Sequence, residues 1–261
     1  MTEWNSRAYA RLSNPMQTWG EAIVAELPLR GDETALDLGC GDGRLTQFLL
    51  RRVPQGHVIA VDRSANMLNA ARDRLTPEFD GRVSYVQQSL ELIDYSSEID
   101  LAFSNAAFHW IKDHPRLFSA IYKALKPGGV LIAQCGGGPN IARVRERLSR
   151  LMRSRPYAHY FGDWSGPWEF ASPELTAQRL EDAGFVDVET STFEAPVQLS
   201  TRAETYDYFE HVILGTHLER IPDPNLKAQF VEALTEQSAA DTPPYCQDYW
   251  RLNLRARRPL N

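Results

Sequence analysis

Apolar runs of strand length alternate along the first half of the chain with segments in which apolar residues recur every third or fourth position. The runs are 35–39, 58–62, 83–87 and 99–105, and the helical period covers 44–52, 65–75 and 115–125. A further run starts at Val130, after Lys126-Pro127-Gly128-Gly129. Strands that alternate with helices in this order predict a parallel sheet with helices on both faces. Ahead of the first strand, 3–27 reads as helix with a break at Asn14-Pro15, where an Asn cap and a first-turn proline suit a restart. Trp19 in that second helix is expected to pack rather than to touch a ligand.

The second half has a different rhythm. Residues 140–153 form an amphipathic helix, with Val144, Leu148 and Leu151 on one face and Arg143, Arg147 and Arg150 on another that is expected to be solvated. Residues 154–171 read as a loop rich in Tyr, Trp, Gly and Pro, and a loop this long inside a compact domain tends to be functional. Ser172 caps a helix that stops at Gly184, and 186–193 alternates like a strand. Helices are expected over 201–215 and 225–239, and 249–257 alternates strictly as a closing strand.

The chemistry gathers where the first strand meets its helix, at Asp37-Leu38-Gly39-Cys40-Gly41-Asp42-Gly43. Glycine is needed where the backbone takes positive φ or comes close to a ligand. The helix that follows points free N–H groups at the turn, at the carboxyl edge where open α/β sheets hold nucleotides. The dinucleotide fingerprint spaces its glycines G-x-G-x-x-G, but here the third comes one residue early. The second strand ends in Asp62, placed for ribose hydroxyls. Arg63 beside it leaves NADP open as an alternative, since an Arg there can meet a 2′-phosphate.

The D-L-G-C-G-D-G turn resembles motif I of the class I S-adenosylmethionine-dependent methyltransferases, and Asp62-Arg63-Ser64-Ala65-Asn66-Met67-Leu68 is similar to that family's D-x-S-x-x-M-L. The K-P-G-G turn continues the likeness, which covers about half the chain. It implies an α/β, Rossmann-like fold whose seven-stranded mixed sheet ends in an antiparallel hairpin. Residues 1–261 would form a single domain, with 1–30 lying over the cofactor mouth and 135–172 and 200–245 as helical cap segments. It also implies S-adenosyl-L-methionine as cofactor, held by Asp37, Gly39, Cys40, Gly41, Gly43, Asp62, Arg63, Met67, Ser89, Leu90 and Asn105. Many relatives carry Asp where this chain has Ser89, which accepts a hydrogen bond more weakly.

Ser104-Asn105-Ala106-Ala107-Phe108-His109-Trp110 resembles the S-N-x-x-x-Q-W of trans-aconitate and malonyl-carrier-protein methyltransferases and the H-W of juvenile hormone acid methyltransferase, all of which methylate carboxylates. Tyr9 to Gln17 is similar to the last enzyme's Y-x-x-x-S-N-x-x-Q. The resemblance implies that Gln17 and Trp110 orient an acceptor carboxylate through their N–H groups. Read from the residues alone, Gln17 is equally an exposed helix residue, and Trp110 stands near the site by its place after the fourth strand, with a core position as the alternative. His109 is a structural histidine, a donor to the carboxylate or a general base. A carboxylate, with a reference pKa of ~4, needs no base, whereas a hydroxyl or ammonium acceptor does. Methyl transfer to oxygen, nitrogen or carbon of another small metabolite with His109 as base, and a noncatalytic cofactor-binding protein, are the alternatives.

Composition narrows the partners. A net charge of −6 lacks the basic balance of a nucleic-acid binder, and the P-P-aromatic of nucleic-acid methyltransferases is missing after the fourth strand. Cys40, Cys135 and Cys246 have no metal-ligand spacing, and neither do the histidines. No apolar window has the length of a membrane span. A cytoplasmic enzyme acting on a small molecule is the expectation.

Overall fold

The computed structural model describes the backbone of residues 14–261 and the side chains of 19–261. The expected N-terminal helix before Pro15, and the side chain of Gln17, lie outside these residues. Helix α1 spans Asn14–Glu26 and leads to strand β1, Thr34–Leu38. Helix α2 (Arg44–Arg52), β2 (His57–Asp62), α3 (Ala65–Phe79), β3 (Val83–Gln87) and β4 (Ile99–Asn105) follow. Helix α3 runs past its expected end because Leu75 and Phe79 continue its buried face. After β4 come a 3-10 turn at Phe108–Trp110, helix α4 (His114–Ala124) and strand β5 (Leu125–Gly136). Local chemistry fixes the starts: Ser64 accepts from the Met67 N–H to cap α3, and Asp113 from the Arg116 N–H to cap α4.

Helices α5 (Ala142–Arg153) and α6 (Ala158–Phe161) lead to α7 (Pro173–Asp182) and strand β6 (Val186–Glu194). A short strand β7, Val197–Gln198, precedes α8 (Arg202–Tyr208), a π-helical turn over Phe209–Ile213, and α9 (Gly215–Leu218). Helix α10 (Pro224–Ala239), strand β8 (Cys246–Gln247) and strand β9 (Trp250–Arg257) end the chain. The sheet order is β3-β2-β1-β4-β5-β9-β6, with β9 antiparallel to both neighbours and the first five strands parallel. This is the seven-stranded mixed sheet that the family resemblance implied.

Neighbouring residues of β1 feed different cores, as the two-residue period of a strand requires. Leu36 and Leu38 join Leu117, Phe118 and Ile121 of α4 and Leu180 of α7. Ala35 joins Leu49 and Leu50 of α2 and Leu75 of α3 on the other face. Helices α5, α6 and α8 to α10 share a third cluster with the π-helical turn, built on Tyr208, Phe209, Leu214 and Phe230.

Three expectations are corrected. The 154–171 loop contains the helical turn α6, whose Phe161 is stacked on Phe230 at 5.6 Å between centroids. The single helix expected over 201–215 is broken into α8, the π turn and α9, where the Leu214 N–H donates to the Phe209 carbonyl at 2.8 Å. The arginine face of α5 is not simply solvated. Arg147 pairs with Asp241 at 2.5 Å, and Arg143 lies 3.6 Å from both Asp241 and Asp248. Those carboxylates arrive from about a hundred residues downstream, so the α5 sequence alone carries no sign of them. Only Arg150 keeps an exposed head, paired with Glu146 one turn away.

Candidate active site

A pocket opens at the carboxyl ends of β1 to β4 and continues to the ends of β5 and β9. Gly39, with φ at +80°, closes its floor: a Cβ there would lie 2.3 Å from the Ala107 Cβ, so no larger residue fits. Gly41, at φ +56°, has open space on its Cβ side. Its N–H donates to Asp62 Oδ2 at 3.0 Å, while the Ser64 N–H donates to Oδ1 at 2.9 Å. Asp62 thus ties the glycine turn to the end of β2. Burial raises its carboxyl above the usual range, and these N–H groups pull it back down.

Asp37 is buried and accepts from the Thr46 hydroxyl at 2.7 Å; burial pushes its carboxyl up to about 7. Cys40 lines the pocket as a neutral thiol, held well above its usual value by burial and by Asp37. Arg63, Met67, Ser89, Leu90 and Asn105 line the same wall. The Ser89 hydroxyl donates to Glu91 at 2.7 Å, which leaves its oxygen facing the pocket as an acceptor. Gly43 departs from expectation. It is not in the wall but heads α2 with its Cα turned to α3, where a Cβ would meet Ala71 at 3.0 Å. The room beside Gly41 and the buried Asn105 Nδ2, which has no partner among the described residues, fit a polar ligand such as the expected cofactor.

The far end is built from residues distant in sequence. His109 and Trp110 stand on the 3-10 turn after β4. That turn is braced: His114 Nε2–H donates to the Phe108 carbonyl at 3.0 Å, and His114 Nδ1 accepts from Arg179 at 3.0 Å. Arg179 also holds Glu169 at 2.9 Å, and the Glu169 N–H returns to the His109 carbonyl at 2.9 Å. His109 Nδ1 accepts from the Gly136 N–H at 3.3 Å, so the neutral ring carries its proton on Nε2. Burial, with Arg251 and His114 nearby, lowers its pKa to about 3.

Arg251 on β9, missed in the sequence, lies opposite Gly136 of β5. Its side chain is 1% exposed, its Nε donates to Gln134 at 3.0 Å and its Nη2 to Asn105 at 3.4 Å. The guanidinium also lies 4.9 Å from the Trp19 ring centre, so Trp19 packs as expected. A charge in a strand with neighbours on both sides was the available signal. Asn140, Ile141, Trp168, Phe170, Val212, Ile213 and Tyr249 complete this end, and they follow no local motif.

His217, next to Trp164 and Trp168 at 4.9 and 5.1 Å between ring centres, is buried with neither nitrogen partnered among the described residues. Its pKa is also lowered to about 3, first by burial and then by Arg220. Such a group gives stability above its unfolded value of about 6.5, and this is lost as pH falls toward 3. Asp37 acts oppositely, because a raised carboxyl favours the fold below its unfolded value and loses that as pH rises through about 7. His217→Leu isolates the first effect. It is expected to raise unfolding free energy at pH 7.5 by about 1 kcal/mol, by removing unsatisfied buried polar atoms, and by more at pH 5. Urea unfolding at the two pH values checks this; an equal gain at both would remove His217 as a titrating group.

Residues 35–129 match the family model described as a methyltransferase domain. The chain is 33% identical over 168 residues to the trans-aconitate 2-methyltransferase of Azoarcus sp., covering 64% of this chain and 59% of that protein. With the Methylobacterium radiotolerans protein of the same name, identity is 28% over 94% of this chain and 92% of the other. An uncharacterized methyltransferase of Schizosaccharomyces pombe is 30% identical over 70% of each chain. Among solved structures, phosphoethanolamine N-methyltransferase 2 of Haemonchus contortus superposes with a TM-score of 0.61 at 21% identity, over 93% of this chain and 53% of that one. The YcgJ protein of Bacillus subtilis gives 0.65 at 14%, over 93% and 99%. At those identities the solved structures speak for the fold, and the sequence relatives carry the family. A sheet of this order with a glycine turn of this spacing, matched along most of another methyltransferase, makes the chain a member of the class I S-adenosylmethionine-dependent methyltransferases, with S-adenosylmethionine as its cofactor.

Proposed function

We propose that the acceptor is a small-molecule carboxylate and that the product is its methyl ester, with S-adenosylhomocysteine released. The observation that carries this reading is the hydrogen bond from the Gly136 N–H to His109 Nδ1. That bond takes the Nδ1 lone pair, so the ring offers the pocket a donor and no base. Among the described residues lining that end of the pocket there is no Asp, Glu or Lys either. An acceptor that must lose a proton finds no group to take it, whereas a carboxylate arrives ionised. The names of the Azoarcus and Methylobacterium relatives, both trans-aconitate 2-methyltransferases, support the same class.

Within this reading Asp62, Gly39, Gly41, Cys40, Met67, Ser89, Leu90 and Asn105 hold the cofactor, with Asp62 toward the ribose and Asp37 behind the turn. When bound, S-adenosylmethionine supplies an activated methyl group for in-line displacement by oxygen. The chain's own work is to bind the acid, aim one oxygen and exclude water. Trp110 and Gln17 aim that oxygen, His109 Nε2–H steadies its partner, and the helices of 135–172 and 200–245 cap the pocket.

A methyl-release screen over small carboxylic acids, phenols and amines tests the class. Turnover confined to acids is expected; turnover on phenols or amines alone would overturn it. On an accepted acid, Gln17→Ala combined with Trp110→Phe is expected to lower kcat/KM about tenfold, the worth of a charge-assisted hydrogen bond. A change of less than threefold would take the aiming role from both residues.

A further inference from the structure

Resting on the carboxylate reading, we infer that the acceptor is a monocarboxylic acid with an apolar body, not a polycarboxylate of the kind the relatives are named for. Its carboxylate meets Arg251 and His109 Nε2–H. Its alkyl or aryl body lies against Ile141, Trp168, Phe170, Val212 and Ile213.

The charge inventory of the acceptor end carries the first half of this. Among the described residues lining it, Arg251 is the single charged one. The other polar groups are largely engaged in holding the wall. The Tyr249 hydroxyl is bonded to that of Tyr208 at 2.7 Å, and the Asn140 side-chain oxygen accepts from the Trp250 N–H at 2.8 Å. Arg251 itself gives its Nε to Gln134. trans-Aconitate carries three carboxylates; Trp110, Gln17 and His109 offer neutral N–H groups, and the one positive charge among the described residues of this end matches a single carboxylate, not three.

The wall carries the second half. Its five apolar residues come from three separate stretches of chain: the start of α5, the aromatic segment before α7, and the π turn after α8. The extra residue of the π turn brings Val212 and Ile213, both nearly inaccessible to solvent, to the pocket together. Trp168 and Phe170 lie with their rings 5.7 Å apart and 21° from parallel, and Phe170 stacks on His109 at 5.6 Å. Aromatic faces therefore run from the proposed carboxylate position outward, as a body attached to one acid group requires.

The test uses the complex with S-adenosylhomocysteine. Tryptophan fluorescence follows the binding of butanoate, hexanoate, octanoate, phenylacetate, citrate and trans-aconitate, and methyl release from S-adenosylmethionine follows turnover of the same acids. Affinity and kcat/KM are expected to rise about tenfold for each added pair of methylene groups. Ile213→Ala is expected to flatten that dependence, with unchanged S-adenosylhomocysteine affinity showing that the variant is folded. A flat chain-length series, or a kcat/KM for trans-aconitate or citrate above that of every monoacid, overturns the inference while the carboxylate reading stands. Failure of every acid to bind or turn over, with turnover of a phenol or amine, overturns both.

Discussion

Replacing Arg251 by methionine is expected to lower kcat/KM for an accepted acid about 100-fold while leaving S-adenosylhomocysteine affinity within threefold. The side chain is buried on a strand flanked on both sides, so its position is set by the sheet rather than by a ligand. Gln134 fixes its Nε and is itself held by Asn253 at 2.8 Å, which orients the fork before any substrate arrives. A hydrogen bond to a charged partner contributes roughly 1.5–3 kcal/mol, and loss of two such bonds to the acid reaches the stated factor. Methionine keeps the volume and tolerates the contact with Trp19, so the fold is expected to survive. Arg251→Lys restores the charge without the planar fork and should recover less than tenfold. Kinetics within fivefold of the parent for the methionine variant would reduce Arg251 to a strut between β5 and Trp19.

Asp62→Ala is expected to weaken S-adenosylhomocysteine binding about 100-fold by calorimetry. One carboxylate does two things here. It accepts from the Gly41 and Ser64 N–H groups, holding the turn in shape, and in the proposed role it accepts from the cofactor ribose as well. Alanine removes the ligand contact and leaves two backbone donors without their partner, each a loss of about 1–3 kcal/mol. Asp62→Asn keeps an acceptor for one N–H and should fall between parent and alanine. Affinity unchanged in both variants would place the ribose elsewhere in the pocket.

Elements made by short-range rules were legible in the sequence, and those made by distant pairing were not. The strands β3 and β4, the cap Ser172 and the glycine turn depend on neighbours within a few residues, and period and cap chemistry reveal them. The tautomer of His109 depends on an N–H supplied by Gly136, 27 positions on. The reach of Arg251 to Asn105 crosses 146 positions, and the partner of Arg147 sits 94 positions away. Gly43 shows another demand behind a motif: α3 passes too close to it for a Cβ, a packing requirement that the spacing alone does not reveal. The π turn carries no sequence mark at all, since Phe209 to Ile213 fit an ordinary helix equally well.

The place of β9 in the sheet bears on how the molecule comes into being. Strands β1 to β5 are complete by Gly136, and with them the glycine turn and Asp62, while β9 follows every other described strand in sequence and is the only neighbour β6 has among the described residues. Because synthesis runs from the N-terminus, the residues of the glycine turn and Asp62 are made long before Arg251. Until residues 250–257 slide in antiparallel beside β5, the edge of β5 lies bare and β6 has nothing to pair with. The two ends of the pocket thus join stretches of chain made at different times, the glycine turn and Asp62 early and Arg251 only with the strand that follows every other strand of the sheet.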